Sequence, residues 1–193
     1  MPSSADAAFR LAFDDAFSRV AASVRALAHV NPRIVIDGRS GSGKTTLAAR
    51  LRDEWPLPGE PRVVALDEFY PGWDGLAEAT RVVADDILSP LAAGLDGAYS
   101  RWDWTAGREA ERRRVDPDEP LIVEGAGALS ARAAESADLS VWVDAPEASR
   151  RARALARDGE TYTPHWERWA AQERAHIERD RPAESADIVI ELP

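Results

Sequence analysis

Apolar positions along the chain follow two rhythms. Phe9, Phe13, Phe17, Val20, Val24 and Leu27 recur at three- and four-residue intervals, which predicts an amphipathic helix over residues 4–29. Five later runs are short, continuous and rich in branched residues: Arg33–Asp37, Val63–Leu66, Leu121–Val123, Leu139–Val143 and Ile188–Leu192. Runs of that kind fit strands buried on both faces rather than strands with one wet side. Between them the pattern predicts helices over Lys44–Glu54, Leu76–Gly94, Thr105–Arg114, Pro146–Asp158 and Pro164–Asp180. Trp166, Trp169, Glu173 and Ile177 lie near one stripe of the last, and its two tryptophans are read as core. Five strands with helical crossovers predict an α/β architecture: a mainly parallel five-stranded sheet between two helical layers.

No repeat, low-complexity tract or linker interrupts the 193 residues, so one domain over 1–193 is expected, with the N-terminal helix (1–30) packed on it. The net charge of −10 argues against a nucleic-acid partner, which would require a basic surface. It leaves room for a nucleotide ligand, which needs only local positive potential. No apolar run approaches the ~18 residues of a membrane span, and the N-terminus lacks the basic region of a secretory signal. Cysteine is absent, which excludes disulfides, thiolate metal sites and cysteine nucleophiles. A cytoplasmic location is the expectation. Of 24 basic residues 23 are arginine, and the single lysine is Lys44.

That lysine sits in Gly38-Arg39-Ser40-Gly41-Ser42-Gly43-Lys44-Thr45-Thr46, which matches G-x-x-x-x-G-K-Ser/Thr between a strand and a helix. Glycines let the backbone approach phosphates closely, and successive N–H groups then face the anion. Gly38, Ser40, Gly41, Ser42, Gly43, Lys44, Thr45 and Thr46 are therefore the candidate ATP site, with Lys44 reaching the β and γ phosphates and the Thr45 hydroxyl available to Mg²⁺. With its one lysine already used, the chain has no N-K-x-D segment of the guanine-reading type. Acidic residues end two of the strands, Asp67 after Val63–Leu66 and Glu124 after Leu121–Val123. Carboxylates at those positions can hold Mg²⁺ or accept a proton from an attacking hydroxyl. Asp67 is preferred over Glu68, since neighbours in extended chain face opposite ways.

These segments resemble the uridine kinase-like family of P-loop kinases over most of residues 33–192. The likeness rests on Ile36–Thr46, on Asp67-Glu68-Phe69-Tyr70, on Tyr99-Ser100-Arg101-Trp102-Asp103-Trp104 and on Val123-Glu124-Gly125. It implies the P-loop NTPase fold with a helical lid, Asp67 as general base toward a sugar hydroxyl, and Glu124 near the metal. The chain departs from the family between Tyr70 and Leu91, which reads Pro71–Leu76 and then a helix with Asp85-Asp86, where uridine kinases carry an Asp/His-rich segment that helps hold the ribose. Asp74, Asp85 and Asp86 are the acids available there. Trp102 and Trp104 replace smaller aromatics.

Tyr70, Trp73, Tyr99, Trp102 and Trp104, interleaved with Asp74, Arg101 and Asp103, read as a pocket for a flat, hydroxylated acceptor. Arg150, Arg153 and Arg157 share a helical face and are expected to close over the triphosphate, as the likeness also implies. Arg112–Arg114 reads as a surface run, and His29, His165 and His176 as structural. The expectation is thus a kinase transferring the γ-phosphoryl of ATP to a hydroxyl of a nucleoside-like acceptor, with Mg²⁺. The alternatives are a kinase for a vitamin precursor or sugar acid, and a non-catalytic ATP-binding regulator. A homo-oligomer is left open.

Overall fold

The computed structural model describes residues 4–193. Five strands form one parallel sheet in the order β2-β5-β1-β6-β7: β1 (Arg33–Gly38), β2 (Arg62–Ala65), β5 (Leu121–Glu124), β6 (Leu139–Asp144) and β7 (Ile188–Glu191). All five match the branched runs of the sequence. The central strand shows why those runs are continuous: Ile34, Val35 and Ile36 are wholly buried, because both faces of the sheet are covered.

On one face Ile34, Ile36, Val141 and Ile190 pack against α1 (Ser4–Arg25), through Phe13, Phe17, Val20 and Val24, and against α2 (Lys44–Asp53), through Leu47 and Leu51. On the other, Val35, Val64 and Val123 meet α3 (Leu76–Arg81), α5 (Ala131–Ser136) and α7 (Trp166–Asp180). The helix expected over Leu76–Gly94 continues from α3 through a π turn (Val82–Leu88) into α4 (Ser89–Ala92). The first helix stops at Arg25, four residues short of the expected end. α6 (Glu147–Tyr162) breaks its helical geometry at Gly159 (φ 57°, ψ −137°), just past the expected boundary at Asp158. α8 (Pro182–Ser185) leads into β7.

One expectation is corrected. Thr105–Arg114 is no helix: β3 (Gly97–Asp103) and β4 (Arg108–Val115) form an antiparallel ribbon outside the sheet. Asp103 makes the turn, its Oδ1 accepting the N–H groups of Thr105 and Ala106 at 2.9 Å, and Gly107 takes φ 63°. Arg101 and Glu111 then pair across the strands at 2.7 Å. Cross-strand pairing outweighs the intrinsic helix preference of the Arg/Glu run.

Candidate active site

β1 ends at Gly38 and α2 begins at Lys44, so residues 39–43 turn the chain at the carboxyl edge of the sheet. That edge is where doubly wound folds gather ligands. Gly43, in left-handed geometry, caps α2 without any side-chain cap, which leaves the helix start to an anion. The loop is fastened from outside. Arg153 Nε donates to Gly41 O at 2.8 Å, Arg150 Nη1 to Ser40 O at 3.2 Å, and Ser40 N to Glu173 Oε1 at 2.7 Å. Gly41 shows how tight the fit is: at φ +76° a Cβ there would stand 2.1 Å from Arg150 O.

Glu124 lies in register with Ile36 on one side and Ala65 on the other. Thr45 Oγ1 donates to its Oε2 at 3.2 Å. Burial raises the Glu124 pKa, the Lys44 charge opposes that, and the nearby Asp67 charge adds to it. Asp67 sits in the 3-10 turn Leu66–Glu68 that follows β2 and lines the same chamber as Lys44 and Glu124. Glu68 is turned away, accepting from Tyr99 Oη at 2.8 Å and from Arg113 at 3.2 Å. The tight turn, not an extended strand, separates the two acids. Thr45 and Glu124 offer hard oxygens on a rigid edge, and Asp67 faces them. That set suits Mg²⁺, which takes one or two carboxylates and fills its remaining positions with phosphate and water. Among the described residues no group of three or more acidic or histidine side chains is arranged to hold a metal ion by itself, and such a site needs none.

The chamber has a volume of about 660 Å³, within the range of small-molecule sites. Ser40, Lys44, Thr45, Asp67, Glu124 and Arg157 form its polar end, and Tyr70, Trp73, Trp104, Tyr162 and Trp169 its aromatic end. Trp73 stacks on His165 (4.2 Å between centroids) and Tyr162 (5.5 Å), with Trp104 tilted against it at 5.2 Å. Tyr70 meets the edge of Trp169 at 4.7 Å and donates its hydroxyl to Ala126 O at 2.7 Å; burial holds that phenol well above its ordinary pKa. Trp104 Nε1 donates to Asp67 O at 3.0 Å. A second recess of about 180 Å³ runs along Gly41, Gly43–Thr46, Arg153 and Arg157.

Several expected site residues are placed elsewhere. Arg150 is wholly buried and Arg153 partly so, both bound to loop carbonyls; only Arg157 of the three lines the chamber. The i, i+3 spacing is kept, but this face of α6 rests on the phosphate loop. Tyr99 is core, tilted against Phe69 at 4.8 Å between centroids, and Arg101 is paired with Glu111. Asp74 is exposed and paired with Arg168, and neither it nor Trp102 reaches the chamber. Asp85 pairs with Arg132 at 2.9 Å on the outer surface. Trp169, read from the sequence as core, is buried and also walls the chamber, and Tyr162 is a wall that the sequence reading did not assign. Their signal was an aromatic series, Tyr162, Trp166 and Trp169, beginning just past the Gly159 break.

No helix among the described residues is long and apolar enough to cross a membrane. No family model matches the sequence, and no curated protein matches it. Solved structures do. A structure described as a possible uridine kinase from Bacillus stearothermophilus is 19% identical, with a TM-score of 0.64 over 94% of this chain and 98% of that one. A candidate fructose transport system kinase from Silicibacter sp. TM1040 is 17% identical, with a TM-score of 0.56 over 92% of this chain and 98% of that one. At this identity the likeness carries the architecture: the chain has the three-layer α/β P-loop fold that these two structures share.

Proposed function

We propose that the protein is an ATP-dependent phosphotransferase acting on a hydroxyl of a small acceptor with a flat, largely apolar body. The observation that carries this reading is that Asp67 lines one chamber with Lys44, Thr45 and Glu124, whose carboxyl feels its charge, while its own carbonyl accepts the N–H of Trp104 from the aromatic wall. The amides at the head of α2 and the Lys44 ammonium would hold the β and γ phosphates. Thr45 and Glu124, with Asp67, would hold Mg²⁺, whose charge offsets that developing on the phosphoryl oxygens. Asp67 would orient the acceptor hydroxyl and take its proton. Arg157 would cover the phosphates from α6. Rate enhancement in such a site comes mostly from positioning and electrostatics.

The aromatic wall supports a planar acceptor. The Tyr70 hydroxyl and Trp104 N–H are already bonded, to Ala126 O and Asp67 O, so these residues offer the chamber aromatic carbon rather than free donors. A sugar acid or polyol would leave hydroxyls unpaired there, at about 1–3 kcal/mol each. A nucleoside or aryl alcohol would stack instead. The test is ADP release with Mg·ATP across nucleosides, planar aromatic alcohols, pantothenate-like compounds and sugar acids, with the phosphorylated product identified. Acceptor-dependent release with a planar alcohol is expected. Release with sugar acids alone overturns the acceptor class, and release with none overturns the transferase reading.

A further inference from the structure

One face of α7 is turned toward the phosphate loop. Trp169 walls the chamber, Glu173 accepts the Ser40 N–H, and one turn later His176 Nε2 lies 2.9 Å from Asp37 Oδ2. The other ring nitrogen, Nδ1, lies 2.8 Å from Asp180 Oδ2. His176 is 2% exposed and Asp37 0%. Asp37 precedes Gly38 in β1, and its carboxylate also accepts the N–H groups of Gly38 (2.6 Å), Gly127 (2.9 Å) and Leu129 (2.9 Å). One carboxylate therefore ties together the root of the phosphate loop, the segment after Glu124, and α7.

A neutral imidazole has one donor and one lone pair. With a carboxylate oxygen within 3 Å of each nitrogen, a neutral ring would set its lone pair against an anion. The three amides and the ring fill the four acceptor positions of Asp37, leaving none for a proton of its own. Asp180 is already paired with Arg179. The geometry points to an imidazolium. We infer that His176 is held as a doubly donating imidazolium and is a positioning residue: it pins α7 to Asp37 at the root of the phosphate loop, and losing its proton loosens that loop and weakens nucleotide binding.

The charged groups around the ring support this. Asp37 faces it from β1, and Asp180 from α7, with Arg179 beyond and Glu173 one turn away. Glu173 lies 3.9 Å from Arg39 of the loop and 4.0 Å from Arg150 of α6. Outside Asp180, Arg81 of α3 and Arg132 of α5 approach Asp85 of the π turn at 3.9 and 2.9 Å. The segment after β5 contributes N–H groups to Asp37. Burial alone lowers the His176 pKa, but the hydrogen bond and charge of Asp37, then those of Asp180, raise it above the ordinary value. With the folded pKa above an unfolded value of about 6.5, the stabilisation is complete below that value and is lost as pH rises through the folded pKa.

The protein has three histidines, so ring-labelled NMR gives three sets of ring resonances, that of His176 assigned by difference with His176→Gln. The His176 ring should remain imidazolium at pH 7.5, where an ordinary histidine is about 90% neutral; a neutral ring there overturns the inference. The affinity for a fluorescent ADP should fall by about tenfold as the ring titrates at higher pH. Asp180→Asn should move that midpoint to lower pH, and His176→Gln should flatten the profile. A flat wild-type profile, or an unmoved midpoint in Asp180→Asn, overturns the positioning role. If His176→Gln does not fold, Asp180→Asn carries the comparison alone. The nucleotide arm rests on the proposed function. If ADP does not bind at any pH, that reading fails, and thermal unfolding over the same range reads the loosening instead.

Discussion

Arg150 and Arg157 stand seven residues apart on α6, and their substitution should separate support of the phosphate loop from chemistry in the chamber. In Arg150→Met, Ala145 O and Ser40 O lose their guanidinium donors, at about 1–2 kcal/mol for each buried acceptor left unpaired. The substitution also removes the cation 3.4 Å from Asp144 and 4.0 Å from Glu173. Breaking a fully buried pair costs about 3–5 kcal/mol. Little of that applies here, since Asp144 is a third exposed and Glu173 keeps the Ser40 N–H and Arg39. The sum is about 3 kcal/mol, or a Tm lower by about 6–12 °C for a domain of this size. Urea unfolding followed by tryptophan fluorescence should show a lower midpoint at an unchanged m-value. Arg157→Met, changing a residue that lines the chamber, should stay within about 1 kcal/mol of wild type while turnover falls at least about tenfold. An Arg150→Met protein within 1 kcal/mol of wild type would refute the reasoning, as would equal destabilisation by both substitutions.

The raised pKa of Glu124 means that its ionised form is disfavoured in the ligand-free fold. Glu124→Gln should therefore raise the Tm of the ligand-free protein while removing the Mg²⁺ dependence of nucleotide binding; calorimetry with and without Mg²⁺ checks both. Trp73→Ala removes the ring stacked on His165 and Tyr162 and should raise KM for the acceptor by tenfold or more, leaving the Kd for ATP within about twofold. Gly41→Ala drives a methyl into Arg150 O from a left-handed backbone and should cost about 2 kcal/mol or more together with nucleotide binding, read by thermal shift with and without Mg·ATP.

The parallel sheet was legible because its central strands, buried on both faces, leave unbroken apolar runs, and even the edge strand β7, which buries only Ile188 and Ile190, is branched throughout its apolar part; all five strands lie where those runs are. The phosphate loop was legible because its backbone geometry demands glycines at fixed spacing. The β3–β4 ribbon was not, since both its faces carry charge and no apolar alternation marks them; only Asp103 and Gly107 signal the turn. Helical spacing put Arg150, Arg153 and Arg157 on one face but could not say that the face lies on the loop itself. The same limit applies to α7, where Trp169, Glu173 and His176 form a readable stripe. That the stripe ends on Asp37, 139 residues away in sequence, is visible only in three dimensions. Asp67 was chosen over Glu68 by strand alternation, whereas a 3-10 turn and the grip of Tyr99 and Arg113 on Glu68 set the difference.

The most direct test of the account is Asp67→Asn, compared with wild type for ATP binding and for acceptor-dependent ADP release in parallel. The account predicts a Kd for Mg·ATP within a few fold of wild type and turnover lower by about 10²-fold or more. Turnover close to wild type at an unchanged Kd would contradict it, because the chamber would then transfer phosphate without the carboxylate placed between its two ends.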